Sequence, residues 1–172
     1  MAFEALLAFI GAMLCGGLAV LGLLTNPRLF VHWVFASGMS ALAVVQISIA
    51  MGAQAVLPTD IVHWEYRRLL CAAGLPGIWL LFSVSFARAN SRDILVPWRW
   101  VILTSFVVPL VLVIACPHAL FTGRFRFDAA FRWVLPLGWS GYGLSLCSLL
   151  ISVGILMHCE RIPRASTGDM RW

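Results

Sequence analysis

Five apolar runs, each about the length needed to cross a lipid bilayer as a helix, dominate this sequence: residues 3–24, 29–52, 67–87, 98–115 and 133–157. Spanning the hydrocarbon core takes about 20 helical residues. Backbone polar groups find no water there, so the chain must satisfy them internally. The spacing therefore predicts an all-α fold, a polytopic membrane bundle of about five transmembrane helices, with little chain left for anything else. The composition agrees, with 62% hydrophobic and 11% charged residues and a mean hydropathy of +0.95. That is too little polar surface to cover a soluble domain of this size. The first run is too long for a signal-peptide core, and Glu4 stands where a basic segment would precede one, so it is read as a permanent helix.

The connectors are short and polar. Thr25-Asn26-Pro27-Arg28 closes the first helix, since proline ends a helix and restricts the residue before it. Residues 53–65, with Pro58, Asp60, His63 and Glu65, read as a loop ending at the interfacial aromatics Trp64 and Tyr66. Residues 88–93 form a solvated turn before Pro97-Trp98-Arg99-Trp100, and Pro117 to Phe131 is the longest loop. Residues 1–160 thus make the bundle, and residues 161–172 a cytoplasmic tail or interhelical loop. All twelve basic residues are arginine. Arg28, Arg88, Arg92, Arg99, Arg161, Arg164 and Arg171 fall on one side, and Arg67, Arg68, Arg124, Arg126 and Arg132 on the other. The more basic side is expected to be cytoplasmic, with the amino terminus outside. Charge dispersed in this way points to lipid and topology; nucleic acid as a partner would require one concentrated basic face.

No acidic residue or arginine lies at the centre of a span, where a charge marks an ion path or proton relay, so a pump is not expected. His32, His63, His118 and His158 lie near helix ends without the spacing of a metal or haem site, and the five cysteines occur singly. Phosphate-binding glycine loops, nucleophile elbows and zinc-protease helices are missing from the sequence. The expectation is a non-enzyme with no cofactor and no metal.

Polar and small residues are patterned instead. Gly138, Gly141, Ser145, Ser148 and Ser152 share one face of the fifth run, and Ala8, Ala12, Gly16 and Ala19 one face of the first. Such stripes allow close helix approach in lipid. Gln46, near mid-membrane, is expected to bond a neighbouring helix. Pro76, Pro109 and Pro136 are expected inside the third, fourth and fifth helices, each freeing a carbonyl and bending its helix; the bends either enclose a cavity or supply a joint, or are simply tolerated within a packed bundle.

Three segments read together: Leu75-Pro-Gly-Ile-Trp-Leu-Leu-Phe82, then Phe86-Ala-Arg88, then Cys116-Pro-His-Ala-Leu-Phe121. Over residues 1 to 160 the chain resembles the amino-terminal seven-helix sensor region of bacterial membrane histidine kinases, most of all that of the exosortase/PEP-CTERM system. In that family a Leu-Pro-x-x-Trp-Leu-Leu-Phe stretch occupies helix three, and an Asn-Pro-Leu-His-x-Leu-Phe type segment follows helix four outside. Here Cys116 stands in place of the Asn, and His118 follows Pro117 without an intervening residue.

The resemblance implies a sensory membrane module in the bacterial inner membrane, truncated after the fifth helix and without its kinase core. Its expected partners are the lipid bilayer and either a second copy in a homodimer or a cytoplasmic kinase or response regulator. The candidate sensing region comprises Pro76, Trp79, Pro109, Pro117, His118, Phe121, Pro136 and Ser145. The competing expectation is a standalone small membrane protein, an assembly factor or oligomeric facilitator.

Overall fold

In the computed structural model, which describes residues 2–25, 29–86, 91–122, 126–127 and 133–167, the five apolar runs are five long helices. They are α1 (Ala2–Thr25), α2 (Phe30–Gln54), α3 (Pro58–Phe86), α4 (Ser91–Ala115) and α6 (Trp139–Thr167), with a four-residue α5 (Pro117–Leu120) between the last two. Each of the five has a segment long and apolar enough to cross a membrane. The protein is an all-α membrane bundle; among the described residues a two-residue antiparallel ladder, β1 (Arg126–Phe127) on β2 (Trp133–Val134), interrupts it, with a single bridge between Phe121 and Leu137.

Successive spans alternate in direction, so the amino terminus, the connector at 55–57 and the α5 region share one face of the bundle. The α2 start and the α6 end share the other. Neighbours in sequence are neighbours in space: α1 packs on α2, α2 on α3, α3 on α4, and α6 closes against α3 and α4. α1 meets α2 through Ala5, Ala8, Ala12 and Ala19, which are buried, while Leu6, Met13, Leu14 and Leu21 stay exposed. Small residues permit this approach because lipid gives larger apolar side chains no reason to leave it. Gln46 lies across Gly11, its Cδ 3.4 Å from where a Cβ would stand. It makes a packing contact there instead of the expected interhelical hydrogen bond.

Four boundaries differ from expectation by several residues. α3 begins nine residues before the expected 67, because Pro58 occupies the first helical position and Asp60 the first turn. Both features favour a helix start over the loop expected at 53–65. α4 likewise begins at Ser91 and not at 98. The fifth span begins later than 133: Trp133–Val134 is strand, and Leu137 bridges Phe121. Pro136 therefore precedes the helix and does not kink it. At its other end α6 continues through Pro163 to Thr167, across the expected tail at 161–172, of which 168–172 lie outside the described residues. Most of the surface segment around Arg124, Phe125 and Asp128 also lies outside them.

Candidate sensing site at the α5–α6 junction

The best-built polar geometry in the molecule is where the chain returns from α4 into α6. α4 ends at Ala115, and Cys116 precedes Pro117 at the first position of α5. The helical turn closes when Ala119 N–H donates to the Cys116 carbonyl at 3.1 Å. Its last residue, Leu120, is fully buried. It packs with Leu69 and Ala73 of α3, Val113 of α4 and Leu144 of α6, with Tyr66, Leu70, Leu110 and Phe121 around them. One turn of helix thus plugs the end of a three-helix core.

The plug is tied to the start of α6. Gly138 N–H donates to the Leu120 carbonyl at 2.7 Å, and Thr122 N–H to the Pro136 carbonyl at 3.1 Å. The Thr122 hydroxyl reaches the same Pro136 carbonyl at 3.4 Å. The fully buried Ser140 makes a long hydroxyl bond of 3.5 Å to the Cys116 carbonyl. Gly138 then offers its own carbonyl to Tyr142 N–H at 3.1 Å, which starts the helix. Two glycines make this approach possible. A Cβ on Gly138 would stand 2.1 Å from the Ala119 carbonyl oxygen, and one on Gly141 3.0 Å from that of Leu120. Leu135 precedes a proline and is restricted to extended geometry, which delivers the chain to this clasp before the helix begins.

The proposed residues divide between places. Pro117, His118, Phe121 and Pro136 belong to the clasp: Pro117 and His118 are exposed, Phe121 and Pro136 half-buried. Pro109 is fully buried in α4, on the turn before the Leu110 and Val113 that touch the plug. Pro76 is buried within α3 beside Gly77, where a Cβ would come 2.7 Å from the Phe106 ring of α4. Trp79 lies elsewhere, in an aromatic cluster between α2 and α3. Its ring is edge-on to Phe35 at 6.3 Å and to Phe82 at 5.7 Å, and Gly38 leaves room for it. Ser145 is exposed and donates to its own helix, to the Gly141 carbonyl at 3.0 Å. Ser152 does the same to Ser148 at 2.8 Å. The expected polar stripe is therefore split, with Gly138 and Gly141 closing the clasp and the Ser145 and Ser152 hydroxyls spent within α6.

Leu120, Ser140 and the two glycines complete the clasp, and sequence reasoning did not assign them to the candidate sensing region. The available signal was Pro136-Leu-Gly138, a proline followed by a glycine immediately before a helix. Among the described residues no group of three or more His, Cys, Asp or Glu could hold a metal ion. His63 sits edge-on to Trp64 at 5.7 Å.

From the clasp α6 runs on as one long helix. Beyond Leu144 one side of α6 carries exposed Leu146, Leu149, Leu150, Val153, Leu156 and Met157, and its 29 residues make a rod of about 43 Å. That exceeds the hydrocarbon core of about 30 Å. A single helix is therefore long enough to reach from the clasp on one face of the bundle across a bilayer. Comparison with protein-family models, with curated proteins and with solved structures finds no match.

Proposed function

We propose that this chain is the membrane-embedded sensory module of a two-component histidine kinase, reading an apolar or membrane-associated cue at the α5–α6 clasp. The carrying observation is that one helix, α6, is anchored at the clasp by the Gly138–Leu120 and Thr122–Pro136 hydrogen bonds and is longer than a hydrocarbon core is thick. A cue that binds one arrangement of the clasp better than another shifts the population between them. Packed through Leu144 against α3 and α4, α6 carries that shift to a kinase core, acting in a homodimer or through a response-regulator partner. The inner membrane with the amino terminus outside is the orientation that this function requires.

The test is a fusion of the full chain to a histidine kinase core, with autophosphorylation measured in membranes. The clasp variant Gly138→Ala should change output about fivefold or more, the lower range of ordinary coupling between sites. Gly154→Ala, where an added Cβ meets nothing within 4 Å, should leave output unchanged. Equal output from all three proteins at equal membrane abundance would sink the sensory reading in favour of a standalone assembly factor or facilitator.

A further inference from the structure

On the opposite side of the bundle from the clasp, where α4 enters the membrane, Arg99, Trp100 and Leu103 line an open hollow of about 330 Å³. The Arg99 guanidinium carbon stands 5.3 Å from the centre of the Trp100 ring. Residues one apart on a helix do not ordinarily face each other, so this contact holds the cation at the hollow's polar end. Among the described side chains no carboxylate pairs with Arg99, whereas Arg68 pairs with Glu65. From the hollow an apolar track descends the outer face of α4 through Leu103, Val107, Val111 and Ile114, all exposed, at spacings of four, four and three residues. Thr104, beside the track, turns its hydroxyl back to the Trp100 and Val101 carbonyls at 2.9 and 3.0 Å and offers no competing polar group.

We propose that this hollow is a binding site for one anionic phospholipid, its phosphate on Arg99 and an acyl chain along the Leu103–Ile114 track. Arginine suits the role because its planar fork pairs with two phosphate oxygens at once and stacks on an aromatic face. An indole at the membrane interface is amphipathic in the same sense as the ligand, apolar below and polar above. The site is independent of the clasp, so either can fail without the other.

The experiment is native mass spectrometry of the full chain, released from mild detergent containing equal phosphatidylglycerol and phosphatidylcholine. The wild type should retain one phosphatidylglycerol in preference. Arg99→Gln should lower that retention about tenfold, more than the roughly fivefold expected from losing one arginine's general attraction to an anionic surface, and Arg99→Lys should restore part of it. Leu103→Ser should weaken retention with the cation intact. Arg67→Gln is the matched control, because Arg67 stands over Trp64 at 5.0 Å at the other membrane face. Equal retention of the two lipids, equal losses in the Arg99 and Arg67 variants, or displacement of the lipid by inorganic phosphate would each overturn the proposal. Circular dichroism on every variant separates loss of the site from loss of the fold.

Discussion

Replacing Gly138 with alanine adds one methyl group at the point where two backbones come closest. The new Cβ would lie 2.1 Å from the Ala119 oxygen and 2.9 Å from its carbonyl carbon, and neither is a side-chain tip that can swing aside. Relief requires the 119–120 backbone and residue 138 to separate by about 1 Å, which overstretches the 2.7 Å bond from Gly138 to Leu120. Overpacking of this kind costs about 1–3 kcal/mol, and a lost backbone hydrogen bond adds about 1 kcal/mol, so the clasp should weaken by about 2–4 kcal/mol. Cys116 is half-buried within it, and maleimide labelling in a background where Cys116 is the one cysteine reads its opening. At the lower figure the labelling rate should rise about 30-fold, while Gly154→Ala stays at the wild-type rate. Wild-type labelling by Gly138→Ala would refute the claim that this glycine is required by a close approach.

Three further substitutions separate the forces in the bundle. Leu120→Ala empties a fully buried position and should lower resistance to unfolding in mixed detergent micelles by about 2–4 kcal/mol. Gly77→Ala drives a Cβ into the Phe106 ring at 2.7 Å; it should destabilise by about 1–3 kcal/mol, and adding Phe106→Leu should recover part of this, whereas strict additivity of the two would contradict the contact. Ser85→Ala removes a buried hydroxyl with no hydrogen-bond partner among the described residues, so stability in the same titration should hold or rise, and a loss above about 1 kcal/mol would reveal a bond that the structure lacks.

Hydropathy carried the fold because the bilayer imposes a length and a composition on each span, and all five runs became helices. Boundaries were less legible where competing local signals overlap. At Pro58 and Asp60, residues common in loops served as the start of α3, since the same chemistry that breaks a helix interior suits its first turn. At Trp133 to Leu137 an apolar run continuous with α6 became strand and connector, a choice that periodicity cannot make over so few residues. The clasp was half legible. Pro117, His118, Phe121 and Pro136 mark its two arms, but their contact joins residues 116–122 to 136–141 across a long connection. Side-chain chemistry gave no hint of it, because its strongest bonds are backbone to backbone. Trp79 stood out as a large aromatic in a helix, and packing against Phe35 and Phe82 accounts for it.

The coupling of clasp to far-side helix end is the claim on which the functional reading depends, and a distance measurement addresses it directly. Spin labels at Phe30→Cys, the start of α2, and Ser166→Cys, near the end of α6, report the position of the lever in lipid nanodiscs, in a background freed of native cysteines. With the pivot near Leu144, the arm toward the clasp spans about 9 Å and the arm toward Ser166 about 33 Å at 1.5 Å per residue. A displacement of about 1 Å at Gly138 therefore becomes about 4 Å at the far end, provided that α6 moves as one rod of that pitch. A shift or broadening of that size is expected in Gly138→Ala and none in Gly154→Ala. Superimposable distance distributions for wild type and Gly138→Ala, with Cys116 labelling accelerated in the variant, would show that the clasp opens without moving α6 and would contradict that coupling.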